Sequence, residues 1–211
     1  MTTKSMLEHR MGAGQLQEQP PTRFVDYLDD SQRRDDKWYL SGSGASSAYQ
    51  SEGMNLQTST SAGAYARLNR GYDGTNYANP FGYSGCVTNF IARATDLGTD
   101  AESHIRVGFV AQQSGGDYAC MFAYASTSAT YQLDCVGQQC DTGIPRDNDY
   151  RLFTIECKGN HANTSLCIDG VLCATNFDNG TLNTNMNFQM ELYNDSGQAE
   201  AHLRYVECYN N

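Results

Sequence analysis

The sequence predicts an all-β protein, a two-sheet antiparallel sandwich preceded by an extended arm, and three observations predict it. Apolar and polar residues alternate with a period of two in many short runs, the pattern of strands with one buried face. About a dozen such runs are separated by clusters of Gly, Asn, Asp and Ser, the spacing of a sandwich rather than of alternating strands and helices. Composition agrees: Gly 20, Tyr 14 and Phe 8 in a chain of 211 residues favour short strands and many turns.

The clearest run is Arg151 to Phe177, which reads as a three-strand meander. Phe153, Ile155 and Cys157 alternate with Thr154, Glu156 and Lys158. After a polar turn at Gly159-Asn160, Thr164, Leu166 and Ile168 repeat the pattern, and Asp169-Gly170 is a strong signal for a two-residue hairpin. With those two as the turn, Ile168 faces Val171 and Leu166 faces Cys173, so both strands are expected to turn one apolar face inward. The same register sets Cys157 opposite Thr164 and Cys167 opposite Leu172. None of these three cysteines then faces another, and a disulfide from them must reach a distant strand.

Taken in order, residues 1–22 are a polar arm with Gly12, Gly14 and Pro20-Pro21 and too little apolar content to fold alone. It is either a disordered tail or a segment that orders on a neighbouring subunit. Residues 23–211 form the β domain. Phe24 to Leu28 begin it, the charged loop from Asp29 follows, and Trp38 reads as a core anchor. Ser41 to Ser51 is a Gly/Ser-rich loop or edge, and Met54 to Leu68 supplies two short strands. Gly71 to Gly85 is a Tyr- and Gly-rich loop, either a contact surface or a loop packed on its own aromatics. Strands are then expected at Val87–Ala94, His104–Ala111, Tyr118–Tyr124, Tyr131–Cys135, Asn187–Tyr193 and His202–Cys208, around the meander.

The meander motifs "YRLFTIEC" and "IDGVLCAT" resemble the late hairpins of the concanavalin A-like lectin/glucanase (LamG-like) superfamily. Asp35-Asp36-Lys37-Trp38, Gly53 to Thr58, Phe90 to Ala94 and His104 to Ala111 follow in that superfamily's order. The resemblance covers roughly residues 23–209 and implies a jelly roll, in a form like those of viral particle proteins; fold alone implies no activity. The superfamily's glucanases carry an E-x-D-x-x-E strand. No segment here has it: Glu156, Glu191 and Glu207 each stand alone on a strand. There is no nucleophile elbow or phosphate loop either, and the chain is expected not to be an enzyme.

A formal net charge of -10, with Lys4, Lys37 and Lys158 the only lysines, opposes nucleic-acid binding. The first residues hold no apolar run suited to export or membrane insertion. Eight cysteines nonetheless point to disulfides, unless they are small buried core residues. Synthesis in a host cytoplasm followed by release on a particle surface reconciles the two; an extracellular protein is the alternative. Cys135 and Cys140 close a short loop or, less in keeping with the absence of a nearby His, ligate zinc.

The sequence therefore favours a structural or decorating component of a virus particle, homo-oligomeric (a trimer as first guess) and attached to capsid or tail proteins through residues 1–22. The alternative is a carbohydrate-binding module or adhesin, contacting host surface glycans through Phe81, Tyr83, Tyr124 and Tyr131. No cofactor is expected beyond a structural Ca²⁺, for which Asp29, Asp30, Asp35, Asp36, Asp147 and Asp149 offer hard oxygen ligands. The sequons at Asn163, Asn179 and Asn194 are expected to stay unmodified.

Overall fold

A computed structural model describes residues 23–28, 38–50, 53–70, 81, 85–97, 103–110, 118–124, 128–135, 138–158, 164–176, 186–195 and 197–210. Among these residues fifteen strands run in chain order: β1 (Arg23–Tyr27), β2 (Trp38–Gly42), β3 (Ser46–Gln50), β4 (Gly53–Gln57), β5 (Ala64–Arg70), β6 (Cys86–Leu97), β7 (His104–Val110), β8 (Tyr118–Tyr124), β9 (Thr130–Cys135), β10 (Gln138–Pro145), β11 (Arg151–Cys157), β12 (Thr164–Ile168), β13 (Val171–Asn176), β14 (Asn187–Asn194) and β15 (Ala199–Asn210). They form two antiparallel sheets. One has the order β13-β12-β11-β6-β15-β4-β3, with β1 also paired to β15; the other has the order β10-β9-β8-β7-β14-β5-β2. The expected arm, residues 1–22, lies outside the described residues.

The inward residues of the two sheets meet in one core. A chain of rings crosses the seam: Phe24, Trp38, Phe188, Phe90, Phe153 and Tyr131 touch in succession at centroid distances of 5.2–6.0 Å. Trp38 anchors the core as the sequence predicts. Its indole N–H donates to Asp26 Oδ2 at 2.9 Å, which satisfies the one polar atom the ring carries inward.

The meander forms, with β11, β12 and β13 side by side at one edge of the larger sheet. Its turn is as expected: Asp169 and Gly170 both have positive φ, at 51° and 80°, the backbone of a hairpin turn whose twist matches its strands. Two expectations fail. A bulge between Leu166 and Cys167 sets Leu166 opposite Ala174, not Cys173. Val171 and Leu172 are 62% and 61% exposed, so the start of the outermost strand lies off the apolar inner face, which the strand joins at Ala174, with Cys173 packed against it. A bulge inserts one unpaired residue and reverses the facing of all that precede it, which no alternation pattern in a six-residue strand can announce.

Residues 138–145 form a strand of their own, β10, hairpinned on β9. Cys140 lies opposite Leu133 there, so it neither closes a loop onto Cys135 nor shares a metal with it. Among the described residues there is no disulfide, and no cluster of His, Cys, Asp or Glu fit to hold a metal ion.

Candidate functional site

On the smaller sheet, Ala66 and Leu68 of β5, Phe188, Met190 and Leu192 of β14 and Ile105, Val107 and Phe109 of β7 all point into the core. Strand periodicity then places the intervening residues on the opposite face. Register arranges them as three rungs across β5, β14 and β7. Tyr65, Tyr193 and His104 form the first, Arg67, Glu191 and Arg106 the second, and Asn69, Gln189 and Gly108 the third.

The middle rung is an ion-pair ladder. Glu191 Oε2 accepts from Arg67 Nε, while Glu191 Oε1 lies 3.6 Å from an Arg106 terminal nitrogen and 3.5 Å from His104 Nε2. The other terminal nitrogen of Arg106 reaches Asp134 Oδ2 on β9 at 3.8 Å. Burial on its own would raise the Glu191 pKa. The His104 imidazole and the charges of Arg67 and Arg106 outweigh it and hold the carboxyl down at about 2. The first rung is aromatic: the His104 ring stacks on Tyr193 at 5.3 Å, and the Arg67 guanidinium sits 4.7 Å over the Tyr65 ring.

The third rung differs from the other two. Asn69 is 0% exposed and Gln189 3% exposed, and they are direct cross-strand partners. Both Nδ2 and Oδ1 of Asn69, and Oε1 of Gln189, have no hydrogen-bond partner among the described residues. Gln132 Oε1, on β9, is in the same condition. Leaving a buried amide unpaired costs about 1–3 kcal/mol, so its retention calls for a reason, such as an ordered water or ion or a functional role. Gly108 completes the rung beside Gln189, on the side away from Asn69, and leaves that part of the floor without a side chain.

The residues the sequence proposed for ligand binding are not brought together here. Phe81 is fully buried, with its ring 5.6 Å from Phe109, and Tyr131 is 2% exposed between the sheets, its hydroxyl donating to the Asp147 carbonyl at 3.3 Å. Neither ring belongs to the polar face of the smaller sheet, because the large apolar area of each is spent in the core between the sheets. Tyr124 ends β8 in register with His104, beside the aromatic rung. Tyr83 lies outside the described residues, as do Asp29, Asp30, Asp35 and Asp36. Of the remaining acidic candidates, Asp147 is held by Arg151 and accepts from the backbone N–H of Asp149 at 3.1 Å, so its oxygens serve a turn and an ion pair rather than a cation site.

Glu191 is what the sequence passed over. Standing alone in its strand, it has no acidic neighbour to mark it, and the partners that matter come from β5 and β7. Only the register reveals them. The one local signal is a run of polar residues, Asn187, Gln189, Glu191 and Tyr193, on a strand whose other face carries Phe188, Met190 and Leu192 ahead of its last residue, Asn194.

No protein-family model matches the chain, and no curated protein sequence matches it. Solved structures do. A peanut lectin complex superposes with a TM-score of 0.62 at 11% identity, covering 92% of this chain and 98% of the lectin. The potassium-bound carbohydrate recognition domain of Emp46p gives 0.58 at 6% identity, covering 87% and 94%. A sialidase gives 0.61 at 10% identity over 83% of this chain, which spans only 17% of that enzyme. The chain shares the two-sheet jelly-roll fold of these proteins, the fold that the resemblance of the meander motifs implies.

Proposed function

We propose that this concanavalin A-like jelly roll is a carbohydrate-binding domain, and that its binding surface is the polar face of the smaller sheet, centred on Asn69, Gln189 and Glu191. The observation that carries the proposal is the unpaired, buried amide rung. Amides offer a donor and an acceptor side by side, which matches the paired hydroxyls of a sugar ring. Both arginines of the ladder are engaged by carboxylates, Arg67 by Glu191 and Arg106 by Glu191 and Asp134. Recognition by this face therefore rests on hydroxyl-directed hydrogen bonds rather than on a free cation. The lectin-like structural neighbours support glycan binding over the particle-component alternative.

Binding rather than catalysis is the role assigned. Glu191, held at about 2 and paired with Arg67 and Arg106, does not suit the general-acid role in glycoside cleavage, which needs a carboxyl raised toward neutrality.

Glycan-array screening of the full chain, followed by titration of the retained sugar, tests this. Asn69→Ala and Gln189→Ala are expected to weaken binding about tenfold or more, on the order of 1.4 kcal/mol or above. Both should leave the melting temperature unchanged or slightly higher, because each removes an unpaired buried amide. Retention of no glycan, or full affinity in both variants, would sink the proposal.

A further inference from the structure

The buried cysteines form a group that glycan binding does not use. Cys86 on β6 and Cys157 on β11 are directly opposed in adjacent antiparallel strands. They are 0% and 1% exposed, and the Cys86 thiol lies beside that of Cys157 and acts on it. From the opposite sheet, Cys135 donates its thiol to Thr164 Oγ1 at 3.6 Å, and Thr164 also bonds the Cys157 thiol. Directly opposed residues of an antiparallel pair have Cα atoms about 4.5–5.5 Å apart. That lies within the roughly 4.4–6.8 Å a disulfide spans, so the Cα spacing of an opposed pair admits one.

The other described thiols are held differently. Cys208 donates to Thr88 Oγ1 at 3.2 Å, Cys173 to the Val171 carbonyl at 2.9 Å, Cys140 faces Leu133, and Cys167, near Cys173, is opposed instead by Thr154 and Leu172. Only Cys86 and Cys157, among the described residues, are direct cross-strand cysteine partners.

We propose that Cys86 and Cys157 are a disulfide-forming pair, closed by a small-molecule disulfide while the chain folds. One cysteine thiolate attacks the oxidant, forming a mixed disulfide and releasing one thiol. The second cysteine then attacks the protein-side sulfur, forming the Cys86–Cys157 bond and releasing the second thiol. The two cysteines are oxidised by two electrons, the oxidant is reduced to two thiols, and the two protein thiol protons end on them. Closure belongs to folding because the finished core shuts the oxidant out. The neighbouring Cys86 thiol, with burial, also pushes the Cys157 thiol well up, so the folded dithiol has little thiolate with which to react.

The test is refolding of the full chain from denaturant in a buffer of reduced and oxidised glutathione, quenched with acid and alkylated, then peptide mapping without reduction. The expected result is one linked peptide pair containing Cys86 and Cys157, and a melting temperature several degrees above that of the reduced protein. Cys86→Ala and Cys157→Ala should each abolish both the linkage and the oxidation-dependent rise, while Cys208→Ala should keep both. Should the alanine variants fail to fold, mapping of the unaltered chain decides alone. Recovery of both cysteines alkylated after refolding, or linkage of either one to Cys135 or another cysteine, would overturn the assignment.

Discussion

At Glu191 two opposed effects act on one carboxyl group. Burial favours the neutral acid, but His104, Arg67 and Arg106 favour the anion and prevail, leaving a pKa of about 2 against an ordinary 4.5. A folded pKa below the unfolded one stabilises the protein fully above the unfolded value, and that stability is lost as pH falls through the folded value. The window is therefore pH 4.5 down to about 2, and the amount at stake is about 3 kcal/mol. Asp147, held low chiefly by its hydrogen bond from Arg151, loses stability in the same direction, so the comparison of variants matters more than the raw curve. Glu191→Gln is expected to cost about 3 kcal/mol at pH 7, since it leaves Arg67 without its counter-charge, and to converge with the unaltered protein near pH 2. Thermal melts of both proteins across pH 2–7 would show it; parallel curves with a constant gap would refute it. At this scale the sequence was least legible: Phe81 and Tyr131 read as surface aromatics because a composition-rich loop and a strand end say nothing about which way a ring turns.

The hairpin between β12 and β13 shows how far local chemistry reaches at the scale of an element. Asp169-Gly170 was legible because only a few residues tolerate positive φ at both turn positions. The structure adds a second role: Asp169 Oδ1 accepts the Leu152 N–H at 3.0 Å and Oδ2 accepts from Arg151 at 2.8 Å, tying the turn to the start of β11. A Cβ at Gly170 would meet nothing within 4 Å, so Gly170→Ala should cost only the backbone strain, about 1 kcal/mol. Asp169→Ala loses both bonds as well and should cost more, about 1–2 kcal/mol. Urea denaturation of the two variants would establish the order; a Gly170→Ala loss exceeding that of Asp169→Ala would contradict it. Beyond the turn, legibility ended at the bulge. Pairing registers are long-range facts, which is also why the Cys86 partner of Cys157, close in space but far along the chain, could not be read from the meander.

At the scale of the molecule, each sheet has one face in the core and one outside, and the outer faces differ at their centres, although the larger sheet also buries one amide oxygen, that of Asn55, without a partner among the described residues. On the larger sheet, Glu207 gathers Arg23 at 2.6 Å, Asn89 at 3.2 Å and Tyr205 at 3.1 Å, and Asn89 in turn accepts from Thr154 at 2.7 Å. Those named polar groups serve one another. On the smaller sheet the amide rung is left unserved. The sandwich itself was legible from alternation and turn signals, but this asymmetry was not, since both faces read as polar residues at alternate positions. It makes opposite predictions for equivalent changes. Glu207→Gln should lower stability by about 1–2 kcal/mol by weakening a satisfied, charge-assisted network, and leave glycan affinity unchanged. Asn69→Ala should do the reverse. Phe90→Ala, in the seam where its ring stacks on Phe153 at 5.2 Å, removes support from both sheets and should cost about 3–5 kcal/mol, with glycan affinity falling only where unfolding begins. Melting curves and glycan titrations of the three variants form one experiment. If Glu207→Gln weakened binding as much as Asn69→Ala, the assignment of function to one face of the sandwich would fail.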